Sequence, residues 1–284
     1  MKTGFIGLGH LGKAMAKRLM SEGVELIVWN RTREKASELG TEIAESPSGV
    51  AAKADIVFMN LFDSAAVRAV LMDKGGLLEG DCRGKIVIDT TTNHFRDVVS
   101  FHEVLHERGG SYLECPVLGS VVPALQGNLT VLVSGAAAAY EKAKPLLEKI
   151  GKHIFYLEKP SLAVKMKLIN NLALGAFMAA IAEAVAFGEK AGIEKKEVID
   201  ILSAGAGNSL VLSAKKEKLL TEDFSAHFSC SLIYKDLHFL QDLAWSLKMP
   251  LFTGSTAKEL FGMTLARGLA GLDFSAVYKI MKEY

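Results

Sequence analysis

The sequence FIGLGHLGKAMAKRLM, residues 5–20, runs from an apolar segment through Gly7, Gly9 and Gly12 into a segment with helical spacing. Residues 2–6 read as a short buried strand, and Leu11, Met15 and Leu19 line one face of the helix that follows. In such a strand–turn–helix unit each glycine has its own task. The first permits the tight turn, the second lets backbone approach a pyrophosphate, and the third lets helix pack on strand. The helix start adds unpaired N–H groups and a partial positive charge that favour phosphate. Gly7, Gly9 and Gly12, with His10 and Leu11 inside the turn, are therefore candidate contacts of a dinucleotide cofactor.

The next strand-like run, VELIVWN (24–30), ends at Asn30-Arg31-Thr32. A carboxylate here would hold an NAD ribose hydroxyl, whereas an arginine flanked by small polar groups suits a 2′-phosphate. Asn30, Arg31 and Thr32 thus predict NADP, with NAD the less favoured cofactor. Leu61, closing the run ADIVFMNL (54–61), is assigned to the cofactor side as well.

Strand-like and helical runs alternate up to Glu158, through GKIVIDT, GGSYLECPVLGS, NLTVLVSG and HIFYLE. That alternation predicts a parallel sheet covered on both faces. Beyond Glu158 every periodic segment is helical. The expected fold is α/β: an N-terminal Rossmann-type doubly wound sheet, residues 1–160, then an all-α domain, residues 161–284, joined by a long connecting helix. Pro160 and Ser161 mark the turn into that helix, with Ser161 as its expected cap. Within it, residues 168–187 are apolar nearly all round, but Asn170, Asn171 and Glu183 argue against a membrane span. A helix of this kind belongs between domains or subunits, which predicts a homodimer or homotetramer.

The chain has 284 residues, half of them hydrophobic, and a formal net charge of +1. Nothing in that balance supports nucleic-acid binding. Cys82, Cys115 and Cys230 are scattered and form no CxxC pair, so neither a disulfide framework nor a zinc site is expected. The segment after Lys2 does not follow the pattern of a secretory signal, and a reducing, cytoplasmic location is expected. HEVLH (102–106) matches a zinc-protease string, but no convincing third ligand accompanies it. It reads as an exposed amphipathic helix carrying two histidines, and no metal site is expected.

KMKLINNLALG (165–175) places Lys167 and Asn171 on one helix face, with Asn170 about 100° round from Asn171. A lysine on a buried apolar helix is costly unless paired or used, and burial favours its neutral form, which suits proton transfer. The same residue could equally snorkel from the first turn.

Taken together, these segments resemble the β-hydroxyacid dehydrogenase family, of the 3-hydroxyisobutyrate dehydrogenase-like type with the glyoxylate/succinic semialdehyde reductase branch. GFIGLGHLGKAMAKRL resembles the family's dinucleotide signature. DTTT (89–92) resembles its D-x-S-T segment, with Thr91 for serine and Phe95 where proline is usual. ECPVLGSVVPALQGNLTVLVSG (114–135) resembles the substrate segment D-A-P-V-S-G-G-x-x-x-A-x-x-G-x-L, KMKLINN the catalytic K-x-x-N-N, and FSCSLIYKDL (228–237) the C-terminal K-D segment. The motifs occur in order along essentially the whole chain.

The resemblance implies NADP-dependent hydride transfer to the carbonyl of a short aldehyde or keto acid. It implies Lys167 as the proton donor in reduction and Asn171 as its partner in positioning. It further implies Leu118, Gly119 and Ser120 as the turn holding a substrate carboxylate, Asn170 beside the substrate, and Thr92 and Lys235 by the cofactor. Leu118 departs from the usual serine, which removes a hydroxyl donor and makes the pocket more apolar. An imine reductase and a non-catalytic NADP-binding module on the same fold are the alternatives.

Overall fold

The computed structural model describes residues 2–284. The chain divides into two compact units, one ending at Lys167 and the other running Leu168–Tyr284. The division falls inside the long helix, whereas the sequence placed it at residue 160. The reason lies in the hydrogen bonds that tie the first turn of that helix to the first unit, described below.

The first unit carries a 9-stranded sheet. Its strands are β1 (Thr3–Ile6), β2 (Leu26–Trp29), β3 (Glu42–Ile43), β4 (Ile56–Met59), β5 (Ile86–Asp89), β6 (Ser111–Glu114), β7 (Val117–Leu118), β8 (Leu129–Ser134) and β9 (Gly151–Glu158). The order is β3-β2-β1-β4-β5-β6-β8-β7, with β9 paired to β8. Pairing is parallel from β3 through β6, then antiparallel where β8 meets β6 and β7. Between the strands run α1 (His10–Ser21), α2 (Arg33–Ser37), α3 (Pro47–Ala51), α4 (Ser64–Met72), α5 (Phe95–Glu107), α6 (Val121–Leu125) and α7 (Ala137–Ile150).

β1 and β4 are buried along their whole length, as a doubly covered sheet requires, and Phe5 stacks on Phe58 between them at 5.8 Å. The strand order reverses at β1, which pairs with β2 on one side and β4 on the other. In open parallel sheets a ligand sits at the carboxyl ends of the strands beside such a reversal. The carboxyl ends of β1, β2, β4 and β5 lead respectively into Gly7, Asn30, Asn60-Leu61 and Thr90–Thr92.

α8 (Leu162–Lys190) starts in the first unit and ends in the second. The second unit adds α9 (Lys195–Ala204), α10 (Leu210–Thr221), α11 (Cys230–Ser246), α12 (Phe252–Ala266) and α13 (Val277–Met281). Its interior includes a buried ion pair, Lys215 Nζ to Asp273 Oδ2 at 2.9 Å. Asp273 also accepts from the backbone N–H groups of His227, Phe228 and Ser275 and from Ser275 Oγ, so no lone pair of that buried carboxylate is wasted.

α8 is long and apolar enough by length and composition to cross a membrane, with 44% of its apolar window buried. Met178, Ala182 and Val185 are buried, while Ile169, Phe177 and Phe187 are exposed at 48%, 50% and 74%. An apolar stripe is thus left in solvent along one side of the helix.

Candidate active site

The three glycines of the first turn occupy three different environments. Gly7 has φ +93°, and a Cβ there would lie 2.3 Å from the Asn60 carbonyl oxygen. A Cβ on Gly12 would lie 2.1 Å from the Gly7 carbonyl oxygen. Both positions are closed to any larger residue by backbone atoms. Gly9 has an ordinary φ of −67° and nothing within 4 Å of where a Cβ would stand. The fold has no need of glycine there, and the open space leaves the backbone at Gly9 approachable by a ligand. Gly9 also caps α1 without a side-chain acceptor, leaving the first-turn N–H groups of His10 and Leu11 to an anion. These features fit the pyrophosphate of a dinucleotide.

Asn30 is committed differently from the sequence expectation. Its Oδ1 accepts from the Leu8 N–H at 2.9 Å and its Nδ2 donates to the Thr32 carbonyl at 2.8 Å. It braces the glycine turn against the end of β2. Arg33 is held by both oxygens of Glu45, each at 2.9 Å. Arg31, directly after Asn30 at the end of β2, is exposed, as are Arg33 and Lys35 in the short helix that follows.

The turn after β5 is built on a buried carboxylate. Asp89 accepts from the Thr91 N–H (2.9 Å), from Asn93 Nδ2 (2.7 Å) and from the Tyr112 hydroxyl. Burial pushes its carboxyl up from the usual carboxylate range, against the pull of these donors. Thr91 Oγ1 in turn accepts from the Leu61 N–H at 2.9 Å, and Thr90 Oγ1 accepts from Asn60 Nδ2 at 2.9 Å. Leu61 and the segment Thr90–Thr92 are therefore locked together, with Thr92 at the half-buried end of the turn.

The candidate carboxylate turn follows β7. Leu118 pairs with Thr130 on β8, and Gly119 has φ +125°, a conformation that favours glycine. Leu118 is half-buried and Ser120 directly precedes α6, with its own side chain making no capping bond.

Lys167 is 7% exposed, and its Nζ donates to the Val117 carbonyl at 2.8 Å. It is drawn inward rather than snorkelling. What holds it there is the anchoring of the α8 start, which the sequence did not reveal. Glu114, 1% exposed at the end of β6, accepts from the Ser161 N–H and from the Val164 N–H (3.1 Å). Ser134 Oγ accepts from the Ala163 N–H at 3.0 Å. Ser161 stands at the cap position of α8, with φ +69° and its carbonyl accepting the first helical bond from the Lys165 N–H, while Glu114 and Ser134 take the N–H groups of Ser161, Ala163 and Val164. No local pattern could have signalled an acceptor supplied from 47 residues away.

In the second unit Asn171 is fully buried and its Nδ2 donates to Asp236 Oδ2 at 2.6 Å. Asn170 Nδ2 donates to Asn171 Oδ1 at 3.2 Å. Lys235 pairs with Asp236 Oδ1 at 3.0 Å and lies over the Phe239 ring. Asp236 therefore fixes the direction of the Asn171 amide, with Asn171 Oδ1 turned to accept from Asn170. Lys167 and Asn171 are one turn apart on the continuous helix α8.

The HEVLH segment also differs from its sequence reading. His106 is exposed, but His102 turns inward, edge-on to Tyr112 at 4.9 Å and 3.5 Å from Glu114 Oε1. No cluster of His, Cys, Asp and Glu able to hold a metal occurs among the described residues.

A glycine turn at the strand reversal, followed by a helical unit, is the arrangement of a Rossmann-type dinucleotide-binding domain joined to an α-helical domain. The NAD-binding domain of 6-phosphogluconate dehydrogenase matches residues 2–158, and the NAD-binding domain of NADP-dependent 3-hydroxyisobutyrate dehydrogenase matches residues 163–281. Glyoxylate/succinic semialdehyde reductase 1 of Arabidopsis thaliana is 34% identical over 99% of this chain and 99% of its own length. The 2-(hydroxymethyl)glutarate dehydrogenase of Eubacterium barkeri is 32% identical over 100% of this chain and 95% of its own. The crystal structure of 3-hydroxyisobutyrate dehydrogenase from Salmonella typhimurium superposes with a TM-score of 0.92 at 28% identity, covering 99% of both chains. The chain belongs to the β-hydroxyacid dehydrogenase family and is an NAD(P)-dependent oxidoreductase of that type.

Proposed function

We propose that this protein is an NADP-dependent reductase of short aldehyde or keto acids, working with Lys167 as the proton donor. The observation that carries the proposal is the setting of Lys167: buried, hydrogen-bonded to a backbone carbonyl, and one helical turn from a buried Asn171 held by Asp236. The bound nicotinamide supplies the hydride. The protein's part is positional and electrostatic. The 118–120 turn offers backbone N–H groups to a substrate carboxylate, and the half-buried Leu118 favours a substrate with an apolar portion beside that carboxylate. Lys167 neutralises the negative charge that develops on the carbonyl oxygen and gives it a proton. Asn171, its amide direction fixed, orients the reacting hydroxyl or the lysine itself.

NADP rather than NAD is supported by the exposed Arg31 and by the lack of a carboxylate at the end of β2. We read the protein as a cytoplasmic enzyme of small molecules without nucleic-acid or membrane partners. The near-neutral charge supports this, as do Cys82, Cys115 and Cys230, which are all buried and free. The stripe of Ile169, Phe177 and Phe187 supports a homodimer or homotetramer.

The test is turnover of a panel of semialdehydes, glyoxylate and cyclic imines with NADPH, repeated for Lys167→Ala. Loss of roughly 10²-fold or more in kcat, with NADPH binding retained, is expected. Near-normal turnover by Lys167→Ala would overturn the role of the lysine. Preferential turnover of imines would point to imine reduction, and no turnover with intact NADPH binding to a binding module.

A further inference from the structure

We infer that Glu114 is a positioning residue for Lys167, setting both the place and the charge of its ammonium. This rests on the proposed role of Lys167 as proton donor. Glu114 and Val117 stand at the two ends of one short segment, and that segment grips α8 twice. Glu114 takes the N–H groups of Ser161 and Val164, and three residues on, the Val117 carbonyl takes Lys167 Nζ at 2.8 Å. Val164 and Lys167 are themselves i and i+3 on the helix, so the two contacts close a rigid loop of backbone. Displacement of the Glu114 carboxylate moves the helix turn that carries the lysine.

The charge matters separately from the anchoring. A helix N-terminus carries partial positive charge concentrated in its first turn, and Lys167 lies in the turn that follows. Glu114 is a buried acidic group at that terminus, and it counters this field where solvent cannot. A neutral acceptor does the anchoring one residue away, at Ser134 Oγ to the Ala163 N–H. The ionisable groups facing Glu114 are His102 on α5, Tyr112 on its own strand, Cys115 beside it, and Asp89, its register partner on β5. Burial raises the Tyr112 hydroxyl and the Cys115 thiol well above their ordinary values, so neither carries charge at neutral pH.

The experiment compares Glu114→Gln, which removes the charge but keeps one acceptor, with Ser134→Ala, which removes an acceptor and no charge. The first readout is competitive acetylation of Lys167 by acetic anhydride across pH. It is scored by mass spectrometry on the protein without substrate, with the exposed Lys196 as internal reference. In Glu114→Gln the midpoint of Lys167 reactivity moves to lower pH by about one unit, and in Ser134→Ala it stays with wild type. The second readout is the pH profile of reduction. Reduction needs the protonated lysine, so its alkaline limb moves to lower pH in Glu114→Gln, and kcat at neutral pH falls by about tenfold or more with KM for NADPH little changed. Equal midpoint shifts in both variants, or an unmoved midpoint with a lowered Tm alone, would reduce Glu114 to a helix anchor. If Glu114→Gln does not fold, Glu114→Asp keeps the charge on a shorter arm: the midpoint stays and kcat falls, and a midpoint displaced by a full unit overturns the electrostatic role. Acetylation needs no turnover, so failure of the reductase function and failure of this inference are read apart.

Discussion

Replacing Gly9 by alanine separates a glycine kept for a ligand from a glycine kept for the fold. At φ −67°, ψ −175° alanine is unstrained, and its methyl group would meet no atom within 4 Å. Restricting the unfolded chain stabilises by about 0.4–1 kcal/mol, and the poorer N-cap costs about as much. The two offset, so Tm should move by no more than about 4 °C. The cofactor tells a different story, because the methyl group occupies the space through which pyrophosphate reaches the first-turn N–H groups. Loss of one charge-assisted hydrogen bond costs about 1.5–3 kcal/mol, or about 10- to 150-fold in Kd. Gly12→Ala is the contrast. Its methyl group would stand 2.1 Å from the Gly7 carbonyl oxygen, which belongs to backbone and cannot swing away. It should lower Tm by many degrees. Thermal melting without ligand and titration by NADPH fluorescence measure both quantities. If Gly9→Ala binds NADPH like wild type, the open space at Gly9 is not the phosphate site. If it melts as low as Gly12→Ala, Gly9 serves the turn and the geometric distinction fails.

Arg31→Asp should shift the ratio of kcat/KM from NADPH towards NADH by at least about tenfold, and a wild type that prefers NADH would refute the assignment of Arg31. Phe187→Glu, at a position 74% exposed, should weaken self-association in light scattering at micromolar concentration, whereas a wild-type monomer would remove the stripe on α8 from any interface. Burial works against the charge on Asp273, but the Lys215 ammonium and the Ser275 donors hold its carboxyl below the usual range. Its stabilising contribution is therefore complete above the unfolded value of about 3.9 and is lost as pH falls through the lower folded value. Asp273→Asn should cost about 3–5 kcal/mol at pH 7 in chemical denaturation, with the gap to wild type closing under strong acid; a constant gap would show that the carboxylate's charge is not what matters.

The parts of the fold that could be read from sequence are those encoded locally. Three glycines between an apolar run and a helical run specify strand, turn and helix without outside help, and the change of period after Glu158 marks where strands cease. Lys167 and Asn171 could be placed on one face because four residues make one helical turn. What escaped came from distant contacts. The start of α8 is held by a side chain from β6, and Asn171 is oriented by Asp236, which follows it by 65 residues. His102 looked like a surface residue because its helix is amphipathic, yet it faces Glu114 across the edge of the apolar face. Asn30 had the right position for a ribose contact, and only the closeness of the Leu8 N–H showed that its amide is already in use.

The grip of Glu114 on α8 also constrains where this chain can be cut. A nucleotide-binding fragment ending at residue 158, the limit of the matching 6-phosphogluconate dehydrogenase domain, would omit Ser161 and Val164. It would strand an acidic side chain in the interior without its donors, a cost of several kcal/mol. Ser134 would lose the Ala163 N–H by the same cut. A self-sufficient fragment has to carry the opening turns of the helix through Lys167, although by sequence homology those residues belong to the other half. For truncation, fusion or exchange of modules, the serviceable breakpoint lies inside a helix rather than in the loop before it.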